Sequence, residues 1–398
     1  MIKRSPILAF FLLLSVVAQG QYVRLAGSAE RTALYFNIDR LWNYNLYEHS
    51  RWGGGLRLTV RDCFVAEGYV GYGVKDERFK GGLMLDVVKP ALNRHIYLSG
   101  VYDLEAAASR RLQAATLTDI GGLSAFMSSR MAHVERVTAG WRQDIGRRLH
   151  LGVALRFSEE ERLYNAYGLL YPESYQSLYS YVESVVDIRL NQRLLLQLIL
   201  GSTEEPVNCE GMSYIRLLAQ YSNTFNFKPF CLHFFAQGGW SDGFDHAVPY
   251  SRMFDLGGTW GSPVYFRNSL LTAYPNEFTA NAFALVSLRL QTQKPLYKIY
   301  NSFYNVGSNP VPFVGLNAAW GALWGMNADG QLVWQQLPLQ APHMGVFEPL
   351  VGVDGVIRWG MVDYGVSAAY RLTPSQAPYF RSATLDNLTL LLTATIIL

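Results

Sequence analysis

Acid–base or nucleophilic chemistry would most plainly fall to the seven histidines, His49, His95, His133, His150, His233, His246 and His343. A serine nucleophile would need one of them, plus an acid or amide, at the same height on neighbouring strands. No HExxH or HxH pair occurs. His95, His133 and His150 fall on or near early strands, and His95 and Asp103 share an inward face. Neighbouring strands could gather such residues into a barrel-embedded hydrolase, but the favoured reading is polar lumen residues meeting water. Asp242, Asp245 and His246 share a polar loop without the ligand spacing of a cation site. Gly53-Gly54-Gly55 opens a strand and not a helix, so it makes no phosphate cradle. Glu159, Glu160 and Glu161 with Arg162 read as a solvated charge run. The three cysteines, Cys63, Cys209 and Cys231, are an odd number with no CxxC spacing, which argues against a disulfide scaffold or a zinc site. The chain is read as non-enzymatic, with no catalytic residue, cofactor or metal assigned.

The charges facing inward carry more information. Arg156, Arg216, Arg289 and Arg371 each oppose an apolar strand face. With acidic partners such as Glu67 they would form a charged ladder across a lumen, able to select anions or to hold a plug. The plainer reading is a wet lumen, where inward charge costs little. On the lipid face the same charge costs about 2–4 kcal/mol at the midplane.

Such residues need strands to position them. Leu151, Val153, Leu155 and Phe157 form one face of a strand while His150, Gly152, Ala154, Arg156 and Ser158 form the other. The chain ends in N-L-T-L-L-L-T-A-T-I-I-L, with Leu388, Leu390, Leu392, Ala394, Ile396 and Leu398 on one side. In a soluble protein such a strand would leave an apolar edge open to aggregation, whereas in lipid a closed barrel leaves no edge. Comparable segments recur at 53–61, 63–73, 79–89, 94–103, 133–144, 148–158, 179–190, 193–202, 212–222, 229–239, 251–259, 278–291, 311–321, 346–358, 361–372 and 387–398. The fold class is therefore all-β, a transmembrane antiparallel β-barrel of about sixteen strands. Connections alternate short and long, as periplasmic turns and external loops do. Charged residues are 16 % where about 25 % is usual, and 25 Tyr and 9 Trp suit aromatic girdles at two interfaces.

Residues 1–20 have the anatomy of a signal peptide: Lys3 and Arg4, the apolar run Ile7–Val17, then Ala18-Gln19-Gly20. Cleavage after Gly20 and an outer-membrane location follow. Residues 21–50 come next, with apolar spacing over Glu30–Tyr47 that is nearer helical than alternating. That predicts a short periplasmic or plug helix, a misread first strand being the alternative. The barrel occupies 51–398. A net charge of +3 spread over both signs gives no argument for nucleic acid. The expected partners are outer-membrane lipid, the barrel-assembly machinery during insertion, and a periplasmic or extracellular protein.

R-L-W-N-Y-N-L-Y-E (40–48), G-G-G-L-R-L (53–58), G-Y-G-V-K-D-E-R-F-K-G-G-L (71–83), Y-D-L-E (102–105), F-D-L-G-G (254–258), Y-P-N-E-F-T-A-N (274–281), F-E-P-L-V-G-V-D (347–354) and A-A-Y-R-L (368–372) are the stretches that carry a resemblance. Together they resemble a Gram-negative outer-membrane barrel family of unknown function, whose barrel commonly follows a carboxypeptidase-regulatory-like domain. F-D-L-G-G with its Arg-containing loop is also similar to the surface-antigen superfamily of outer-membrane assembly barrels. The resemblance implies sixteen strands and a role in envelope biogenesis or in transport through or into the outer membrane. It also implies a lumen-lid loop at Phe266-Arg267-Asn268, where Asn stands in place of the superfamily's Gly. Neither the regulatory-like domain nor the superfamily's periplasmic repeat domains is recognised here. A structural or interaction barrel that binds partners through its loops is the competing function.

Overall fold

Period-two alternation becomes strands along most of the chain. The computed structural model describes residues 22–28, 32–37, 40–45, 47–61, 63–106, 110, 131–146, 148–162, 178–191, 193–204, 211–244, 248–256, 270, 272, 278–302, 306–324, 345–359, 362–372 and 387–396. The strands begin with β1 (Tyr22–Ser28), β2 (Thr32–Asn37), β3 (Trp42–Asn45), β4 (His49–Val60), β5 (Phe64–Gly73) and β6 (Phe79–Lys89). Next come β7 (Arg94–Ala106), β8 (Met131–Ile145), β9 (Leu149–Arg162), β10 (Leu178–Leu190), β11 (Leu194–Glu204), β12 (Gly211–Phe227) and β13 (Phe230–Asp242). Two short strands, β14 (Phe254–Asp255) and β15 (Thr279–Ala280), precede β16 (Ala282–Thr292), β17 (Ile299–Asn301) and β18 (Val306–Ser308). The last are β19 (Val311–Ala322), β20 (Val346–Trp359), β21 (Val362–Tyr370) and β22 (Leu388–Ile396).

Twenty of these strands form one sheet in which each pass lies antiparallel to the next, while β14 and β15 pair separately. Three passes are interrupted. Both β2 and β3 pair with β4, both β18 and β19 pair with β20, and β17 prolongs β16. Counting each as one pass gives sixteen from β2 to β22, with β1 added on the outer edge of β2. Among the described residues no pairing joins β22 to the first strands. Several passes exceed the roughly nine to eleven residues needed to cross a bilayer. With 17 residues in β12 and 15 in β8, the wall projects beyond the membrane.

The distribution of side chains is the reverse of a soluble protein's. On β9, Leu155 is 51 % exposed and Arg156 only 7 %. Val70, Leu83, Ile96, Val137, Val182, Val314, Val351 and Leu390 also point outward, while Glu67, Lys80, Asp103, Glu183 and Arg216 are buried within. Lipid replaces water on the outer face, so apolar exposure there is stabilising.

Two expectations are corrected. Residues 22–45 carry β1, β2 and β3 and not a helix. The chain passes from Asn37 to Trp42 opposite only Gly55 to Trp52 of β4. Two extra residues interrupt the strand there, and because buried Ala33 is as apolar as Leu34 and Phe36 beside it, the two faces of β2 contrast too little to read as an alternation. Of the segment 251–259, the described residues 251–256 are not a wall strand. They hold the end of a short 3-10 turn (Tyr250–Arg252) and β14, and Phe254 and Leu256 pack inside the wall, while 257–259 lie outside the described residues.

Leu155→Arg should destabilise the barrel by about 2–4 kcal/mol, and Leu155→Met by less than about 1.5. Denaturant titration of folding into phospholipid bilayers measures both.

Candidate functional site

Between β13 and β16 the chain turns back into the lumen. Val248, Met253, Phe254, Leu256, Leu270, Phe278 and Ala280 of this segment are all buried. The strands β14 and β15 tie its two arms together, and Leu256 N–H donates to Phe278 O at 2.8 Å. Phe254, Leu256, Leu270 and Phe278 form a cluster with Leu218 of β12, Phe235 of β13, Phe283 of β16, Ala319 of β19 and Val346 of β20. A glycine in the wall makes room for it. A Cβ on Gly239 would come within 2.7 Å of the Phe254 ring and 2.5 Å of the Phe283 ring. Those rings pack at 4.9 Å between centroids, and the Arg216 guanidinium lies 4.5 Å from the Phe254 centroid.

One side chain fixes the segment to three wall strands. Arg252 Nη1 donates to Glu160 of β9 at 2.6 Å, and its Nε donates to Glu183 of β10 at 2.7 Å. Its guanidinium lies 3.8 Å from the centroid of the Tyr181 ring, and Tyr181 Oη is 2.9 Å from Ser251 Oγ. Tyr214 of β12 donates its hydroxyl to Glu183 at 2.6 Å. Tyr214 reaches that position because it lies across the facing strand at Gly201, where a Cβ would sit 2.3 Å from the ring. Arg156, the cross-strand partner of Glu183, takes the other carboxylate oxygen at 3.3 Å. Burial alone would lower the pKa of Arg252, but Glu160 and Glu183 outweigh it and hold the group well above its ordinary value. Charge-assisted hydrogen bonds away from bulk water are the strong ones, so this is a rigid attachment.

Further contacts reinforce it. Arg110, following β7, donates to the carbonyl of Asp255 and to Gln237 Oε1 of β13 at 3.1 Å. Thr272 donates through N–H and hydroxyl to Glu348 of β20, and Arg371 donates to Thr272 O at 3.2 Å. Trp324 Nε1 donates to Asp242 at 3.2 Å.

A second ion network fills the lumen beside β4 to β8. Lys80 pairs with Glu48 at 2.6 Å and with Asp76, and Arg51 donates to Glu48 at 3.0 Å and to Asp103 at 2.5 Å. Asp103 also accepts from Tyr69 Oη at 2.6 Å and from its neighbour's N–H at 2.7 Å. Asp76 and Lys80 come from the G-Y-G-V-K-D-E-R-F-K stretch, so that stretch supplies a buried structural network.

The residues singled out from sequence separate into groups. Arg156 and Arg216 lie beside the inward segment and Arg371 touches its far arm, whereas Arg289 sits apart, paired with Asp354 of β20. Glu67 joins none of them and accepts from Tyr22 of β1 at 2.7 Å. Phe266, Arg267 and Asn268 lie outside the described residues, as do Asp245, His246, His343 and Cys209. His95 pairs with Asp86 at 3.0 Å and not with Asp103. His133 stacks on Tyr102, and His150 pairs with Asp144 at 2.6 Å. Cys231 Sγ lies 3.6 Å from His233 Nε2, with Thr224 Oγ1 2.9 Å from Nδ1. Among the described residues no group of three metal-ligating side chains assembles. Nothing in the sequence marked Arg252 or Glu183 as partners, and Glu160, expected in a solvated charge run, is instead buried against Arg252. Arg252 was counted within a wall strand, and the hydroxyl, carboxylates and guanidinium that meet there are far apart in the chain.

No protein-family model matches the chain, and no curated protein matches it in sequence. Solved structures resemble it at low identity. BamA from Haemophilus ducreyi lacking POTRA domains 1-3 superposes with a TM-score of 0.48 at 10 % identity, covering 98 % of this chain and 78 % of that one. CdiB from Escherichia coli gives 0.47 at 9 %, covering 94 % and 67 %. CdiB from Acinetobacter baumannii gives 0.42 at 8 %, and the match covers 82 % of this chain but only 54 % of that one.

Arg252→Met leaves Glu160 and Glu183 buried with one guanidinium fewer. It should cost about 3–5 kcal/mol in equilibrium unfolding. Gly201→Ala, which forces Tyr214 off Glu183, should cost about 1–3 kcal/mol.

Proposed function

We propose that this chain is an outer-membrane β-barrel of the envelope-biogenesis or transport type, whose lumen is gated by the segment between β13 and β16. The observation that carries this reading is Arg252, which ties that segment to Glu160 and Glu183 on neighbouring wall strands. A porin needs a wet, continuous path. Here the long-loop half of the lumen holds a hydrophobic cluster and two buried ion networks instead. A barrel filled in this way works by moving its plug or by engaging a partner, not by passive diffusion.

In sequence Phe266, Arg267 and Asn268 fall between the buried Leu256 and Leu270, and in this reading they form the tip of the lid. Arg156, Arg216 and Arg371 line its seat. Residues 1–20 serve as the cleaved export signal, and the mature barrel meets outer-membrane lipid and the assembly machinery on insertion. A periplasmic or extracellular protein then supplies the work of opening.

Single-channel recording in planar bilayers tests the reading. The wild-type barrel should be silent or flicker briefly. Combining Arg252→Ser with Glu160→Gln, which removes the attachment while Glu183 keeps Arg156 and Tyr214, should lengthen and enlarge the openings. Steady porin-sized conductance from the wild type would refute a gated lumen.

A further inference from the structure

A second lumenal feature lies away from the inward segment, at the end of the barrel where the turns are short. It is a cavity of about 440 Å³ walled by β12, β13, β16, β19 and β20 and by the turn before β11. Its volume is within the usual range for small-molecule sites, roughly 300–1,000 Å³. The chemistry of its lining differs from the rest of the lumen. In the two ion networks the cations face carboxylates directly: Arg252 meets two, Lys80 meets two and Arg51 meets two. Here Arg193, His233 and Arg289 face one space and no carboxylate lines it. The remaining polar lining groups are amides and hydroxyls, Gln220, Asn223, Thr224, Ser287 and Asn317. Phe235 and Leu350 supply an apolar surface.

Two of the cation-bearing groups are held in position. Arg289 is 5 % exposed, lies 3.5 Å from the centroid of the Phe313 ring, and is paired with Asp354, which does not line the cavity. The His233 ring is fixed between Thr224 and Cys231 and is the cross-strand partner of Arg289. Ser287 and Asn317 bond one another at 2.7 Å. Fixed guanidinium groups bind carboxylate and phosphoryl oxygens through paired, directional hydrogen bonds, and amides around them suit the hydroxyls of the same molecule.

We propose that this cavity is a binding site for a small, hydroxyl-bearing organic oxyanion of sugar size, with Arg193 and Arg289 holding its carboxylate or phosphoryl group. The site is separate from the Arg252 attachment and does not depend on how the lumen is gated.

Titration calorimetry on the full mature barrel in detergent micelles tests this with glucose 6-phosphate, glucuronate and glucose. At least one of the two anions should bind, at least about tenfold more tightly than glucose, and the tighter anion identifies the preferred oxyanion. Arg193→Gln should weaken that binding about tenfold. Asn223→Asp, which leaves both arginines in place but adds a carboxylate to the lining, should do the same. Arg289→Gln is made together with Asp354→Asn, so that no lone carboxylate remains, and heat-modifiable migration checks that each variant is folded. Glucose binding as tightly as the anions, anion binding unchanged in folded variants, or no heat from any probe up to millimolar concentration would overturn the proposal.

Discussion

Backbone amides in hydrocarbon have no water to bond, and this constraint organises the rest of the molecule. It requires every strand that crosses the membrane to be paired on both edges. Pairing in turn commits alternate side chains to lipid and to lumen. Most of the wall satisfies this by consecutive antiparallel passes with unbroken registers of nine to thirteen partners, while among the described residues β22 is paired with β21 alone. With lipid taking the apolar face, the molecule's charges are gathered inside, where they must find one another.

That gathering explains the interior. A buried charge without a partner is expensive, so lumenal carboxylates and cations occur as networks. Glu183 shows how a network joins wall and plug. It sits opposite Arg156 by strand register, receives Tyr214 from two strands away, and takes Arg252 from the inward segment. Such an attachment is rigid while intact, yet each member is a discrete contact that a competing charge can replace. Around Arg193 and Arg289 the lining carries no carboxylate, and the partner of Arg289, Asp354, stands outside the cavity.

The packing of the wall repeats one device. A large aromatic side chain lies across its neighbouring strand at a glycine: Tyr214 over Gly201, and Phe283 at Gly239 with Phe254 beside it. The missing Cβ lets a ring lie flat, and the ring's polar edge or its face is then aimed at a charge. At these positions glycine works as a seat for aromatic rings.

Much of this was legible in the sequence. Alternation along 148–158 and at the C-terminus located wall strands, because lipid and lumen impose opposite chemistry on successive residues. The same logic placed Arg156, Arg216, Arg289 and Arg371 on the inward side, where the structure buries them. Sequence alone could not distinguish 251–259 from a wall strand, since Phe254 and Leu256 alternate as well inside a lumen as against lipid. It read 30–47 as helical because buried Ala33 is as apolar as Leu34 and Phe36, so the faces of β2 contrast little, and because the strand is interrupted before β3. Which charges meet was decided by tertiary structure. Arg252 lies 69 residues from Glu183 and 92 from Glu160, and their contact depends on how far the wall curves and where the intervening segment folds back. Periodicity encodes which face a residue occupies, whereas the partner across the lumen is set by register summed over many strands, and no local pattern carries that sum.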